Sequence, residues 1–163
     1  MIVRLSESLS KQIRVTPTEL RPLNANPFAD FTGHFFVAES GSYILAVNTA
    51  SLYGVVFPGQ RITRSTLFEP ALAEQLRGYL VEDGFEFLYK RLIAAESATV
   101  SYSRPLNPLV SGAIRDLADR ARTHLKRHRY SLVEVMEMIN RSPLSAIQHV
   151  RPRDAFRTLT LHH

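Results

Sequence analysis

Between residues 33 and 59, three short apolar runs follow one another at hairpin spacing: GHFFVAE, YILAVN and LYGVVF. SGS and TAS separate them, and PG closes the last. Aromatic and β-branched residues dominate the runs, and small polar residues sit between them, as in strands joined by tight turns. Connections this short can reverse a strand but cannot make a parallel crossover, so the runs predict an antiparallel meander. Alternation puts Tyr43, Leu45 and Val47 on one face and Ile44, Ala46 and Asn48 on the other. Neither face is wholly polar, so helices are expected over part of both.

The flanking sequence supplies those helices. MIVRLS opens as a short strand, and Ser6 can cap a helix over SESLSKQIR with Glu7 in its first turn. Residues 16–31 hold three prolines and two asparagines and read as a loop. Its Leu20, Leu23, Phe28 and Phe31 are expected to pin it to the core. Over 68–92 the period changes: Leu72, Leu76, Leu80 and Phe87 recur at helical spacing, with Pro70 at the expected start and Gly84 near the end. ATVSYS (98–103) reads as another strand. Val110, Ala113, Ile114, Leu117, Ala118, Ala121 and Leu125 then form one apolar helical stripe. Ser131 and Glu134 stand at capping-box spacing, and Ser142-Pro143 predicts the start of a further helix. The fold class is α+β: a small antiparallel β-meander, flanking helices and a helical C-terminal third. One domain over 1–163 is expected, with a helical C-terminal subdomain over 109–157.

Charge is unevenly placed. Residues 1–103 carry nine Lys/Arg and ten Asp/Glu, a net of −1, and residues 104–163 carry eleven and five, a net of +6. Such asymmetry points to an anionic partner for the C-terminal part, although seventeen of the twenty basic residues are Arg, a bias that genome composition alone can produce. Cysteine is absent, which excludes disulfides, thiolate metal sites and cysteine nucleophiles. Arg4, Glu7 and Lys11 interrupt the N-terminal apolar residues, so no signal peptide is expected. No apolar run approaches the roughly 20 residues a membrane span needs. A cytoplasmic protein without a membrane partner is the expectation.

Several segments together resemble a known family. MIVRLS, NPFADFTGHFF, Asn48-Thr49-Ala50-Ser51-Leu52-Tyr53, EDGFEFLYKRLIA, PLNPLVSGAIRDL and RPRDAF are similar to a family of small bacterial proteins sharing a domain of unknown function. The resemblance covers most of the chain and is strongest at residues 48–53. Pro108, Ala113 and Arg115 stand where the family pattern has Arg, Ser and Asn. The resemblance implies no activity, cofactor or catalytic residue.

Candidate chemistry therefore rests on the residues. Arg115, Asp119, Arg122, Lys126 and Arg129 share one helical face, flanked by Arg120 and Arg127. Arg115, Arg122, Lys126, Arg127 and Arg129 form a basic surface able to meet phosphates or a protein partner. Asp119 beside Arg122, and Asp116 four residues before Arg120, can equally make it a solvated face. Residues 131–150 have helix-turn-helix lengths, but Met136 is bulky at the crossing and Asn140-Arg141 replaces the usual turn glycine. The exposed positions of the second helix, Leu144, Ser145, Gln148 and His149, are also poor in base-reading side chains, so helical packing is the expected role. His124 and His128 are half of a metal pair without a carboxylate, so no metal is expected, and no cofactor motif is present. Glu82, Asp83 and Glu86 read as a solvated acidic face. His34, Asn48, Thr49, Ser51 and Tyr53 form a candidate pocket where a histidine could serve a serine or tyrosine, and tight turns use the same residue types. The leading expectation is a non-catalytic binding or regulatory module with a basic C-terminal surface. A nucleic-acid-associated protein using residues 113–129, and a small enzyme or ligand binder around His34, are the alternatives.

Overall fold

The computed structural model describes residues 1–126 and 129–161. Five strands form one sheet in the order β4-β3-β2-β1-β5. The meander is β2 (Asp30–Ala38), β3 (Gly41–Asn48) and β4 (Gly54–Pro58), paired antiparallel. The β2–β3 turn is Glu39-Ser40, one residue earlier than SGS implies, because Ala38 pairs with Gly41. Gly41 has φ 143°, a conformation that side chains other than glycine's rarely adopt.

The sheet is mixed rather than purely antiparallel. β1 (Ile2–Leu5) lies between β2 and β5 (Ser101–Ser103) and runs parallel to both. These pairings join segments far apart in sequence, so no local pattern announces them. A parallel neighbour requires a crossover, and α1 (Glu7–Ile13) supplies it. Ser6 caps α1 by accepting from the Leu9 N–H, and Arg14 ends it with φ 57°.

Gly33 decides where α1 sits. A Cβ on Gly33 would lie 2.5 Å from Leu9 Cδ2, so α1 covers the Gly33 face of β2. Thr32, His34 and Phe36 point to the opposite face. There α4 (Pro108–His124) lies across the sheet, capped by the Asn107 side chain on the Val110 N–H. Its predicted stripe from Val110 to Leu125 is buried throughout.

The other helices depart further from expectation. α2 (Ser65–Glu82) starts before Pro70, which sits inside the helix. Phe87 is 72% exposed, under Arg91, so the core side of this region is Phe68, Leu72, Leu76 and Leu80 instead. The helical turn α3 (Glu86–Leu88) runs into a π-helical segment, Tyr89–Ile93. The loop expected over 16–31 ends early, because Pro27–Ala29 is a 3₁₀ turn and Asp30 and Phe31 already belong to β2; Phe28 and Phe31 are buried and Leu20 is exposed. α5 (Leu132–Asn140) has the full capping box of Ser131 and Glu134. No α-helix starts at Ser142-Pro143: Ser142 Oγ donates back to the Met138 carbonyl, and only a 3₁₀ turn, Ser145–Ile147, follows. The last helix, α6 (Pro152–Arg157), begins after Arg151. The second helix of a helix-turn-helix is therefore missing. Asn140 is no turn residue either. It is 1% exposed, its Oδ1 accepts the Gly54 N–H at 2.9 Å, and its Nδ2 donates to the Gly54 carbonyl at 2.8 Å.

One hydrophobic cluster runs from Met1 to Phe156 and includes the inner faces of α1, α2, α4 and α5. Tyr53 stacks on Phe156 at 4.8 Å, and Phe85 and Phe28 meet the same ring edge-on. Beside this apolar core lies a buried polar knot. Arg4 and Asp30, both 0% exposed, are bonded through two nitrogens and two oxygens at 2.9 and 2.8 Å. Arg4 also donates to the carbonyls of Arg21 and Pro22, which hold the proline-rich loop on the sheet.

Candidate functional site

The sheet topology creates a crevice at the carboxyl ends of β1 and β5. The chain leaves β1 towards α1 on one face and leaves β5 towards α4 on the other. Open parallel sheets bind ligands at such a switch of direction, because the diverging connections leave a gap above the strand ends. Here the gap is a cleft of about 520 Å³, within the usual range for small-ligand sites. Ser6 and Ser8 line it from the β1–α1 connection, Thr32 and His34 from β2, and Ser111 and Arg115 from α4.

His34 is the fixed point of the cleft. Its Nδ1 lies 2.9 Å from Ser6 Oγ and 3.1 Å from Ser8 Oγ. Ser8 Oγ donates to the Phe35 carbonyl at 2.8 Å, so its own hydrogen is already used. Ser6 Oγ accepts the Leu9 N–H and keeps its own hydrogen for Nδ1 or for Ser8, so these contacts suit either ring tautomer. Nε2 has no hydrogen-bond partner among the described residues. Partial burial pushes the imidazole pKa below its usual value, and the positive charges of Arg122 and Arg115 push the same way. The result is a neutral histidine with an unpartnered Nε2 beside an exposed guanidinium, Arg115. Lys11, paired with Glu7 at 2.9 Å, stands at the rim. A second cleft adjoins the first through Glu7, Lys11 and Pro105, and brings Arg14 and Arg104 into the same trough.

The other pocket residues expected from sequence are not brought to His34. Asn48 is fully buried. Its Oδ1 accepts from the Ser51 N–H and hydroxyl, and its Nδ2 donates to the carbonyls of Pro27 and Asp30. Thr49 Oγ1 donates to Asp30 Oδ1 at 2.7 Å. Tyr53 donates to Asp83 Oδ2 at 2.8 Å, and burial raises its pKa. The segment N-T-A-S-L-Y thus closes the β3–β4 connection on itself. Leu52, at φ 63°, is held there by its N–H to the Asn48 carbonyl.

The basic surface is also divided. α4 ends at His124, so Arg129 does not continue the face of Arg115. Arg122 donates to the Val37 carbonyl at 2.8 Å, pairs with Asp119 and lies over the Phe36 ring. It fastens α4 to β2. Lys126 and Arg129 are exposed, while Arg127, His128, His162 and His163 lie outside the described residues. Among the described residues no cluster of three metal-ligating side chains forms. The acidic face is divided as well: Glu86 pairs with Lys90, whereas the Asp83 side chain is 6% exposed and holds Tyr53, Arg141 and Arg153.

A family model for Domain of unknown function DUF6933 matches residues 2–155. The chain belongs to the DUF6933 family. Neither a curated protein nor a solved structure matches it. Ser6, Ser8, Lys11 and Ser111 were not marked by sequence reasoning as site residues of this DUF6933 chain. Ser6 and Ser8 had one signal, a serine pair directly after an opening strand. Among the described residues, no helix is long and apolar enough to cross a membrane.

Proposed function

We propose that this protein is a non-catalytic binding module for a small anionic molecule, held in the cleft between His34 and Arg115. The carrying observation is the convergence of Arg115 from α4 and a neutral, serine-anchored His34 from β2 on one cleft at the strand ends. Arg115 offers a planar donor fork to a phosphate or carboxylate. His34 Nε2 exchanges a hydrogen bond with a hydroxyl or amide of the same ligand. Lys11, Arg14 and Arg104 along the trough raise the local concentration of anions.

Calorimetric titration with phosphate, citrate and nucleoside monophosphates tests this reading. Arg115→Ala removes a charge-assisted contact and is expected to weaken the best ligand about 10- to 100-fold. Equal binding by wild type and Arg115→Ala, or no binding across the panel at millimolar concentration, refutes it.

Nucleic-acid binding is the second reading, and it is supported by the exposure of Arg115, Arg120, Lys126 and Arg129. Fluorescence anisotropy with short DNA and RNA at low salt and about 150 mM salt separates the two. Arg122→Glu is a poor probe, because it detaches α4 from Val37 and Phe36. Lys126→Glu is the informative variant.

A further inference from the structure

Three arginines from two elements converge on a groove of about 220 Å³ lined by Arg141, Arg151, Arg153 and Asp154. Arg141 stands at the end of α5 and Arg151 just before α6. Arg153 lies in the first turn of α6. Two of them are oriented by one buried carboxylate. Asp83 Oδ1 accepts from Arg141 Nη2 at 3.2 Å, and Asp83 Oδ2 accepts from Arg153 Nε at 3.1 Å. Arg153 Nη2 also donates to the Asp83 carbonyl at 2.9 Å, and its guanidinium lies 4.9 Å from the centre of the Phe85 ring. The buried Pro152 holds Arg151 and Arg153 at the start of α6.

This clamp leaves donors over. A guanidinium has five N–H groups. Arg141 uses one and Arg153 uses two in the bonds just described. The Arg151 side chain makes no hydrogen bond or ion pair among the described residues. The charges are also unbalanced. Arg141, Arg151, Arg153 and Arg157 stand against Asp83, Asp154 and Glu137, which acts on Arg141, and Asp154 already pairs with Arg157 at 3.0 Å. Four cations against three carboxylates leave a surplus of one positive charge. We propose that the groove of Arg141, Arg151 and Arg153 is a binding site for a dianionic phosphate group, distinct from the His34 cleft. A phosphate offers three or four acceptor oxygens in different directions, which suits forks arriving from α5 and from α6. The groove fits such a group, not a whole nucleotide.

Phosphorus NMR and calorimetry on the full chain, with inorganic phosphate at constant ionic strength, test the site. Arg151→Ala leaves the Asp83 clamp in place, so its unfolding temperature without ligand should match wild type. Its phosphate affinity should fall on the order of tenfold or more. Arg64→Ala, which removes an exposed charge at the opposite end of α2 from Asp83, should keep the affinity of wild type. Tighter binding of phenyl phosphate than of inorganic phosphate assigns the site to a phosphorylated molecule. The reverse order assigns it to the free ion, and both support a phosphate site. No binding by wild type at tens of millimolar phosphate overturns the proposal. So does binding that Arg151→Ala leaves at the affinity of wild type.

Discussion

Replacing Arg4 with Met tests how this chain holds its proline-rich loop and its parallel strands together. Arg4 makes five hydrogen bonds: two to Asp30, one to Ser103 and one each to the carbonyls of Arg21 and Pro22. Methionine fills similar space without any of them. Asp30 then keeps only the Asn24 N–H and the Thr49 hydroxyl, and its charge stays buried. Removing one partner of a fully buried pair costs about 3–5 kcal/mol, chiefly because the remaining charge is uncompensated. That is a large share of the 5–15 kcal/mol typical of a folded domain. At this chain length it corresponds to a melting temperature lower by roughly 6–20 °C. Urea unfolding followed by far-ultraviolet circular dichroism gives the change directly, provided the slope with denaturant is unaltered. The double variant Arg4→Met with Asp30→Leu removes both charges and should be more stable than Arg4→Met alone. A loss below about 1 kcal/mol for Arg4→Met would refute the reasoning, as would simple additivity of the two changes.

Three further outcomes are expected. Asn140→Ala strips the buried Gly54 N–H and C=O of their partners, so a loss of about 2–5 kcal/mol should appear in the same urea assay. His34 has its folded-state pKa below the free value of 6.5, so protonation favours the unfolded chain. Its contribution is complete above that value and is lost as pH falls through the folded pKa; His34→Gln should flatten the dependence of the urea midpoint below about pH 6.5. Ser131→Ala removes the cap of α5 from the Glu134 N–H and should cost about 0.5–2 kcal/mol, with the loss of helix readable by circular dichroism.

Local chemistry was legible wherever its partners are near in sequence. The meander, the caps at Ser6 and Ser131, and the buried stripe of α4 all follow from residues within a few positions of one another. The error at Ser142-Pro143 has a local cause. A serine followed by proline suits a helix start, but the Ser142 hydroxyl turns back to close α5 instead. Asp83 failed for a different reason. Its acidic neighbours suggest solvent, and only the arrival of Tyr53, Arg141 and Arg153 makes it an interior counter-charge.

The candidate site divides along the same line. His34 and Arg115 each stood out in the sequence, but in separate constellations. Residues 48–53 carry the strongest family resemblance, yet their polar groups are turned inward by the strand connection they close. By itself, the sequence determined the α+β class, the antiparallel core and the basic C-terminal third, because these depend on periodicity, turn chemistry and counting. Only tertiary structure decided that β1 lies parallel between β2 and β5, that α1 and α4 take opposite faces, and that a cleft opens where they diverge. Those facts rest on pairings across as many as 99 positions, such as Arg4 with Ser103, and such pairings leave no local pattern to read.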